Sequence, residues 1–138
     1  MDKELKPLNH IALSNTYPKA YEVLKDIWEN AHPGRQLWIH PTTNAIEIID
    51  DNNYIVDTLQ DMSLIYFLDL LGLHCYVLPE YDNDEVVFSG MILRPDLKHH
   101  EVCRKKKDRK EVERLFILRG IKMLNELLSD GVIIYKKI

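Results

Sequence analysis

His99, His100 and Cys103 are the residues of this chain whose types and spacing come nearest to doing chemistry. On a helix His99 and Cys103 stand four apart and His100 and Cys103 three apart, so either pair could turn toward one side. Imidazole nitrogen and thiolate sulfur are the usual donors for a tetrahedral zinc ion, and His74-Cys75 would have to complete the set. The spacing matches no zinc motif, however, and adjacent residues on a strand, as His74 and Cys75 would be, point to opposite faces. No metal and no cofactor are therefore expected, and these three residues are the candidates if a metal is bound.

Other chemistry-bearing types are thinner still. His40-Pro41-Thr42 resembles one half of the paired His-x-Thr/Ser signature of two-histidine phosphoesterases, in which one histidine acts as base and the other as acid. The second half is missing: His10 is followed by Ile-Ala, His74 by Cys-Tyr and His99 by His-Glu. The triplet reads as a strand end entering a turn. Carboxylates cluster at Asp50-Asp51 and at Asp82, Asp84 and Glu85, where they could bind magnesium, but turn chemistry explains Asp and Asn at hairpin ends without a ligand. Five scattered glycines make no phosphate loop, and no nucleophile elbow occurs. No catalytic residue is assigned. A hydrolase using His40, His99 or His100 beside a carboxylate requires those groups to meet in a pocket.

The least ordinary stretch is cationic. Between Arg104 and Lys110 six of seven residues are basic (Arg104, Lys105, Lys106, Lys107, Arg109 and Lys110), with Asp108 the exception and Lys98 just upstream. If helical, these charges wrap the whole circumference and cannot all face a core. Nucleic-acid phosphates or an acidic protein face would be natural partners. Aromatic interleaving is absent, and no helix-turn-helix or RNA-binding signature accompanies the run.

Charge along the chain is segregated. The net charge is −4, but residues 1–93 hold 5 Lys/Arg against 15 Asp/Glu, a balance of −10, and residues 94–138 hold 13 against 7, a balance of +6. Such asymmetry favours oriented association. Apolar residues make up 46% and charged residues 29% of 138, the composition of an ordinary globular domain. Signal-peptide features and a run long enough to span a bilayer are both missing, and two cysteines make no disulfide framework. A soluble cytoplasmic protein is expected, as one domain over 1–138.

The elements that must position these residues follow from periodicity. Residues 1–15 read as an arm, with Asn9–Leu13 a short strand. Pro18 starts a helix whose apolar stripe is Ala20, Val23, Leu24, Ile27, Trp28 and Ala31, and His32-Pro33-Gly34 stops it. Strands are predicted at Leu37–His40, Ala45–Asp50 and Tyr54–Asp57. Leu59–Leu71 is apolar nearly all round and reads as a helix at the centre of the core, introduced by Thr58 and Asp61. Strands at His74–Leu78 and Glu85–Leu93 flank a polar loop. A final helix covers Val112–Leu128, starting at Asp96 or, with a better capping box, at Asp108. Segment 96–110 is a basic extension leading into it, and Val132–Tyr135 is a last strand.

The expected fold is α+β, a small antiparallel sheet (β-meander plus hairpin) with three helices in the order α-βββ-α-ββ-α-β. The expected function is a non-enzymatic protein-interaction or assembly subunit, self-associating or with a protein partner, that uses an acidic meander side and the basic segment. Nucleic-acid binding through 98–110 is the alternative, and no membrane contact is expected.

Overall fold

The structure, a computed structural model, describes residues 8–137. The fold is mixed α+β. Among the described residues the elements are α1 (His10–Thr16), α2 (Pro18–Ala31), β1 (Gln36–Ile39), β2 (Ile46–Ile49), β3 (Ile55–Thr58), α3 (Asp61–Leu70), β4 (His74–Asp82), β5 (Glu85–Leu93), β6 (His99–Lys106) and α4 (Arg109–Ser129). They fall into two compact units, one within residues 1–60 and 135–138, the other Asp61–Ile134.

In the first unit Asn9 caps α1 by accepting from the Ala12 amide at 3.0 Å. This corrects the strand expected at Asn9–Leu13: the Asn9 side chain satisfies an orphan helix amide and starts a helix there. The remainder of the expected arm, residues 1–7, lies outside the described residues. Pro18 opens α2, which buries Ala20, Val23, Leu24 and Trp28 of the expected stripe. The strands form an antiparallel meander in the order β1-β2-β3, with Trp38, Glu47 and Thr58 in one cross-strand row. Glu47 is buried and accepts from the Thr58 hydroxyl at 2.7 Å. Thr58 ends β3 and α3 starts at Asp61, so the residue before the helix is Gln60 and not Thr58, which was expected to introduce it. The C-terminal tail joins this unit through Tyr135, whose hydroxyl donates to Asp26.

The second unit is a longer meander, β4-β5-β6, carrying two helices. Leu64, Phe67 and Leu68 of α3 are buried, as are Val112, Phe116, Ile117, Ile121, Leu124 and Leu127 of α4. The helices approach so closely that a Cβ on Gly120 would collide with the Leu68 side chain. One expectation fails at α3: it is apolar all round, yet only one side is buried. Met62, Tyr66 and Leu70 are 57%, 60% and 54% exposed, so the helix lies at the edge of its core and not at its centre.

Three further boundaries differ from the sequence reading. β4 runs on to Asp82, because Asn83 and Asp84 take left-handed φ of 49° and 64° and close a two-residue hairpin where a six-residue loop was expected. The segment after Pro95 is a third strand and neither a helix nor an irregular extension. Arg94 donates to the Lys98 carbonyl at 2.9 Å, and Asp96 accepts from the Lys98 amide at 3.2 Å, making a tight turn back into the sheet. Val132–Tyr135 is not a strand. The amides of Val132 and Ile133 close the end of α4 on the Leu127 carbonyl, at 3.0 and 3.1 Å, and are lost to any ladder.

Candidate interaction surface

The register of the second sheet places each candidate residue. Partners directly opposite on neighbouring strands share a face. Cys75 lies opposite Ile92, which lies opposite His100, and Gly90 lies opposite Cys103. This is the face toward α4, because a Cβ on Gly90 would meet Val112 at 2.8 Å, Phe116 at 2.9 Å and the Cys103 sulfur at 3.2 Å. His74, Leu93 and His99 form a row on the other face. The expected metal candidates are therefore split: His99 points away from His100 and Cys103.

Each of the outward histidines is already engaged. His74 pairs through Nδ1 with Asp69, and His99 Nδ1 meets the Tyr76 hydroxyl at 2.6 Å. Burial, with the Asp69 charge adding to it, pushes the Cys75 thiol up to about 12, so it stays protonated and is a poor ligand or nucleophile. Among the described residues no group of three or more His, Cys, Asp or Glu side chains is arranged to hold a metal ion.

The remaining chemical candidates are turn formers. His40 Nδ1 accepts from the Thr42 and Thr43 amides at 3.1 and 3.3 Å, holding the β1–β2 turn. Asp50 Oδ1 accepts from the Asn52 and Tyr54 amides at 2.9 and 3.0 Å and does the same for β2–β3.

The basic stretch has a different explanation from the one its composition suggests. Arg104, Lys105 and Lys106 end the edge strand β6, Lys107 and Asp108 turn the chain, and Arg109 and Lys110 open α4. Asp108 caps α4 by accepting from the Lys110 amide at 2.9 Å, as its capping-box position predicts. Along the strand the cations meet carboxylates one for one. Arg104 lies 3.6 Å from Glu101, Lys105 4.0 Å from Asp82, Lys106 3.4 Å from Glu111, Lys107 3.5 Å from Glu85 and Arg109 3.8 Å from Glu113. Two of those acids, Asp82 and Glu85, belong to the acidic part of the sequence and reach the basic part through the β4–β5 hairpin. The segregation along the chain becomes a mosaic in space. Lys98 and Lys110 have no carboxylate within 4 Å among the described residues.

β6 also has the marks of a protected edge. Its pairing with β5 is broken by register shifts on both sides of Gly90, and Lys105 takes a left-handed φ of 50°. Bulges and lysines keep further strands from adding to an open edge. A cationic edge strand therefore has a structural reason to exist, which composition alone could not disclose.

Sequence reasoning missed the apolar centre of this end of the molecule. β4 and β5 extend past the last β6 partner, Lys106 opposite Phe88. On the projecting hairpin Tyr81 stands opposite Val86, and Tyr81 is 82% exposed. Tyr81 and Val86 occupy the rung next to Asp82 and Glu85, on the opposite face of the hairpin. The signal was present in Tyr81-Asp82-Asn83-Asp84 but was read as loop; recognising Asn83-Asp84 as a two-residue turn would have placed Tyr81 on a strand. No helix among the described residues is long and apolar enough to cross a membrane. Comparison with protein-family models, curated proteins and solved structures finds no match.

Proposed function

We propose that the chain is a non-enzymatic protein-interaction or assembly subunit. Its contact surface is the mixed-charge end of the second unit, which comprises Tyr81 and Val86 on the projecting β4–β5 hairpin and Arg104, Lys105, Lys106, Lys107, Arg109 and Lys110 at the end of β6 and the start of α4. The observation that carries this reading is the matching of exposed cations by exposed carboxylates at the end of the sheet whose hairpin also projects the exposed Tyr81. An apolar centre with a polar rim is the common anatomy of protein interfaces, and tyrosine is prominent among the residues that dominate their energy. Exposed ion pairs are worth only about 0–1 kcal/mol, so each can be exchanged for one across an interface at little cost. The acidic meander of the first unit, with Asp51 and Asp57 exposed, offers a complementary surface for a basic partner or for head-to-tail contact between copies.

Affinity capture with the wild-type chain and with Tyr81→Ala/Val86→Ser tests the reading, alongside light scattering at low and high salt. The expected result is a partner, or self-association, that weakens with salt and is lost in the double variant. A monomer at low salt with no partner dependent on Tyr81 would overturn it. Nucleic-acid binding through 98–110 is the competing reading and rests on the uncommitted Lys98 and Lys110. A polyanion would also meet Asp82, Glu85, Glu101, Glu111 and Glu113. Binding to single- or double-stranded DNA or RNA that falls steeply with salt and disappears in Lys105→Glu/Lys106→Glu/Lys107→Glu would establish it.

A further inference from the structure

The meander of the first unit holds a charge that its own chain does not answer. Glu47 lies in the middle strand and is 8% exposed, and its Oε2 accepts from the Thr58 hydroxyl at 2.7 Å. Among the described residues its carboxylate has no ion pair. The meander has no cation to offer: residues 36–60 contain Glu47, Asp50, Asp51 and Asp57 and not a single Lys or Arg. Buried carboxylates are ordinarily paired with a cation or bound to a metal ion. Among the described residues Glu47 belongs to no group of His, Cys, Asp or Glu side chains that could hold a metal. Directly across from it on β1, on the same face, stands Trp38, 40% exposed. The Trp38 ring packs against His40, with centroids 5.1 Å apart, and His40 is fixed in turn by the Thr42 and Thr43 amides. An open indole beside an unpaired carboxylate is what an organic cation needs, the ring quadrupole and the anion attracting it together.

We propose that Trp38 and Glu47 receive the guanidinium of an arginine side chain from a basic partner protein. This deepens the proposed function, on whose acidic meander it rests, by naming the partner's chemistry. A guanidinium is planar, so it can lie on the indole while its N–H edge donates to the carboxylate; an ammonium is a strongly hydrated point charge and does the first less well. The occupant is a separate protein and not a second copy, because Arg104 and Arg109 of the chain's own basic segment already face Glu101 and Glu113. Exposed Asp51 and Asp57 draw the remaining cations of such a partner toward the same meander.

Titration of the ¹⁵N-labelled whole chain with N-acetyl-L-arginine methylamide, followed by NMR at low salt, tests the site. The expected result is a saturable shift of the Trp38 indole N–H with a Kd of about 1–10 mM, as befits one side chain without its protein. The Trp28 indole, buried and stacked on His32 at 4.2 Å, should stay still. N-acetyl-citrulline methylamide, the same shape without the charge, should give no saturable shift. Glu47→Gln, which keeps an acceptor for the Thr58 hydroxyl, should weaken binding about fivefold or more, read at the Trp38 indole. Trp38→Leu should do the same, read at the backbone amides of β2.

No saturable shift up to about 50 mM ligand would overturn the proposal. So would a citrulline response equal to that of arginine, or an affinity unchanged in both variants. If Glu47→Gln does not fold by circular dichroism, Trp38→Leu and the citrulline control still decide. Self-association that is lost in Glu47→Gln would overturn the choice of a separate partner. Tyr81→Ala/Val86→Ser should bind arginine as the wild-type chain does. Absent arginine binding with a Tyr81-dependent partner captured would overturn this site and leave the charged end standing. Arginine binding with no partner dependent on Tyr81 would do the reverse.

Discussion

The two meanders have the same strand order and the same antiparallel pairing, yet they are unlike in what stands behind them. β4, β5 and β6 are nine, nine and eight residues long, and a 21-residue helix lies on one face. β1, β2 and β3 have four residues each. Their outer strands show the consequence. All four residues of β3 are exposed, including Ile55 and Val56, and the strand carries a single charge, Asp57. β6 is protected by cations, by broken register and by a left-handed lysine. A sheet that buries Ile92 and Val87 in its middle strand can give its edge to charge. A sheet of four-residue strands has few apolar positions to bury, and its edge keeps some of them in water.

The largest expected effects lie behind the long sheet. Leu68 is 0% exposed and lies under Gly120, so Leu68→Ala should destabilise by about 2–5 kcal/mol in denaturant unfolding. Gly120→Ala should cost about 1–3 kcal/mol, because the added methyl enters the space of the Leu68 side chain. The double variant should cost less than the sum, since the shortened side chain leaves room for the methyl. Strict additivity would mean that α3 and α4 do not meet through these two residues.

The same substitution in the two sheets makes the comparison quantitative. Ile92 on β5 is fully buried and Ile55 on β3 is half exposed. Ile92→Ala should cost about 2–5 kcal/mol and Ile55→Ala less than about 0.5 kcal/mol, measured side by side. Equal costs would show that β3 is covered in solution, and the contrast between the edges would then have to be abandoned.

Where the sequence reading succeeded or failed follows from which physical signal was local. The stripe of α2 was readable because Val23, Leu24 and Trp28 repeat at helical spacing within one element. The cap at Asp108 was readable because a capping box needs only neighbours. The β6 strand was hidden because its reason is non-local: alternation is obscured by Arg104, Lys105 and Lys106, whose carboxylate partners lie as far away as Asp82. The exposed side of α3 was misread for a related cause. Periodicity shows which residues are apolar, but Met62, Tyr66 and Leu70 look no different in sequence from Leu64, Phe67 and Leu68, and only packing separates the two rows. The run of cations is legible in the sequence, while their pairing with carboxylates and the placing of Tyr81 on a strand required the fold.

Smaller effects belong to the junction between β6 and α4. Asp108→Ala removes the side-chain acceptor for the Lys110 amide and should cost about 0.5–2 kcal/mol, readable as a lower denaturation midpoint. The helix is long and well buried farther along, so the loss should stay at the low end and leave the sheet intact. An effect above about 3 kcal/mol would mean that Asp108 also holds the turn that joins strand to helix.

Lys105 tests the protected edge itself, and here the expected change is a gain. Its left-handed φ of 50° is unfavourable for a residue with a Cβ, while its amide is held by the Ser89 hydroxyl at 3.2 Å, a bond that glycine would retain. Its ion pair with Asp82 is long and exposed and contributes little. Lys105→Gly should therefore stabilise the chain by about 0.5–1 kcal/mol, relief of backbone strain exceeding the loss of the pair and the added freedom of the unfolded chain. Lys105→Ala, which keeps the Cβ and loses only the charge, should change stability by less than about 0.5 kcal/mol. If both variants destabilise alike, the charge and not the backbone is what holds this edge. The mosaic of ion pairs would then be structural, and β3 and β6 would differ by electrostatics more than by register.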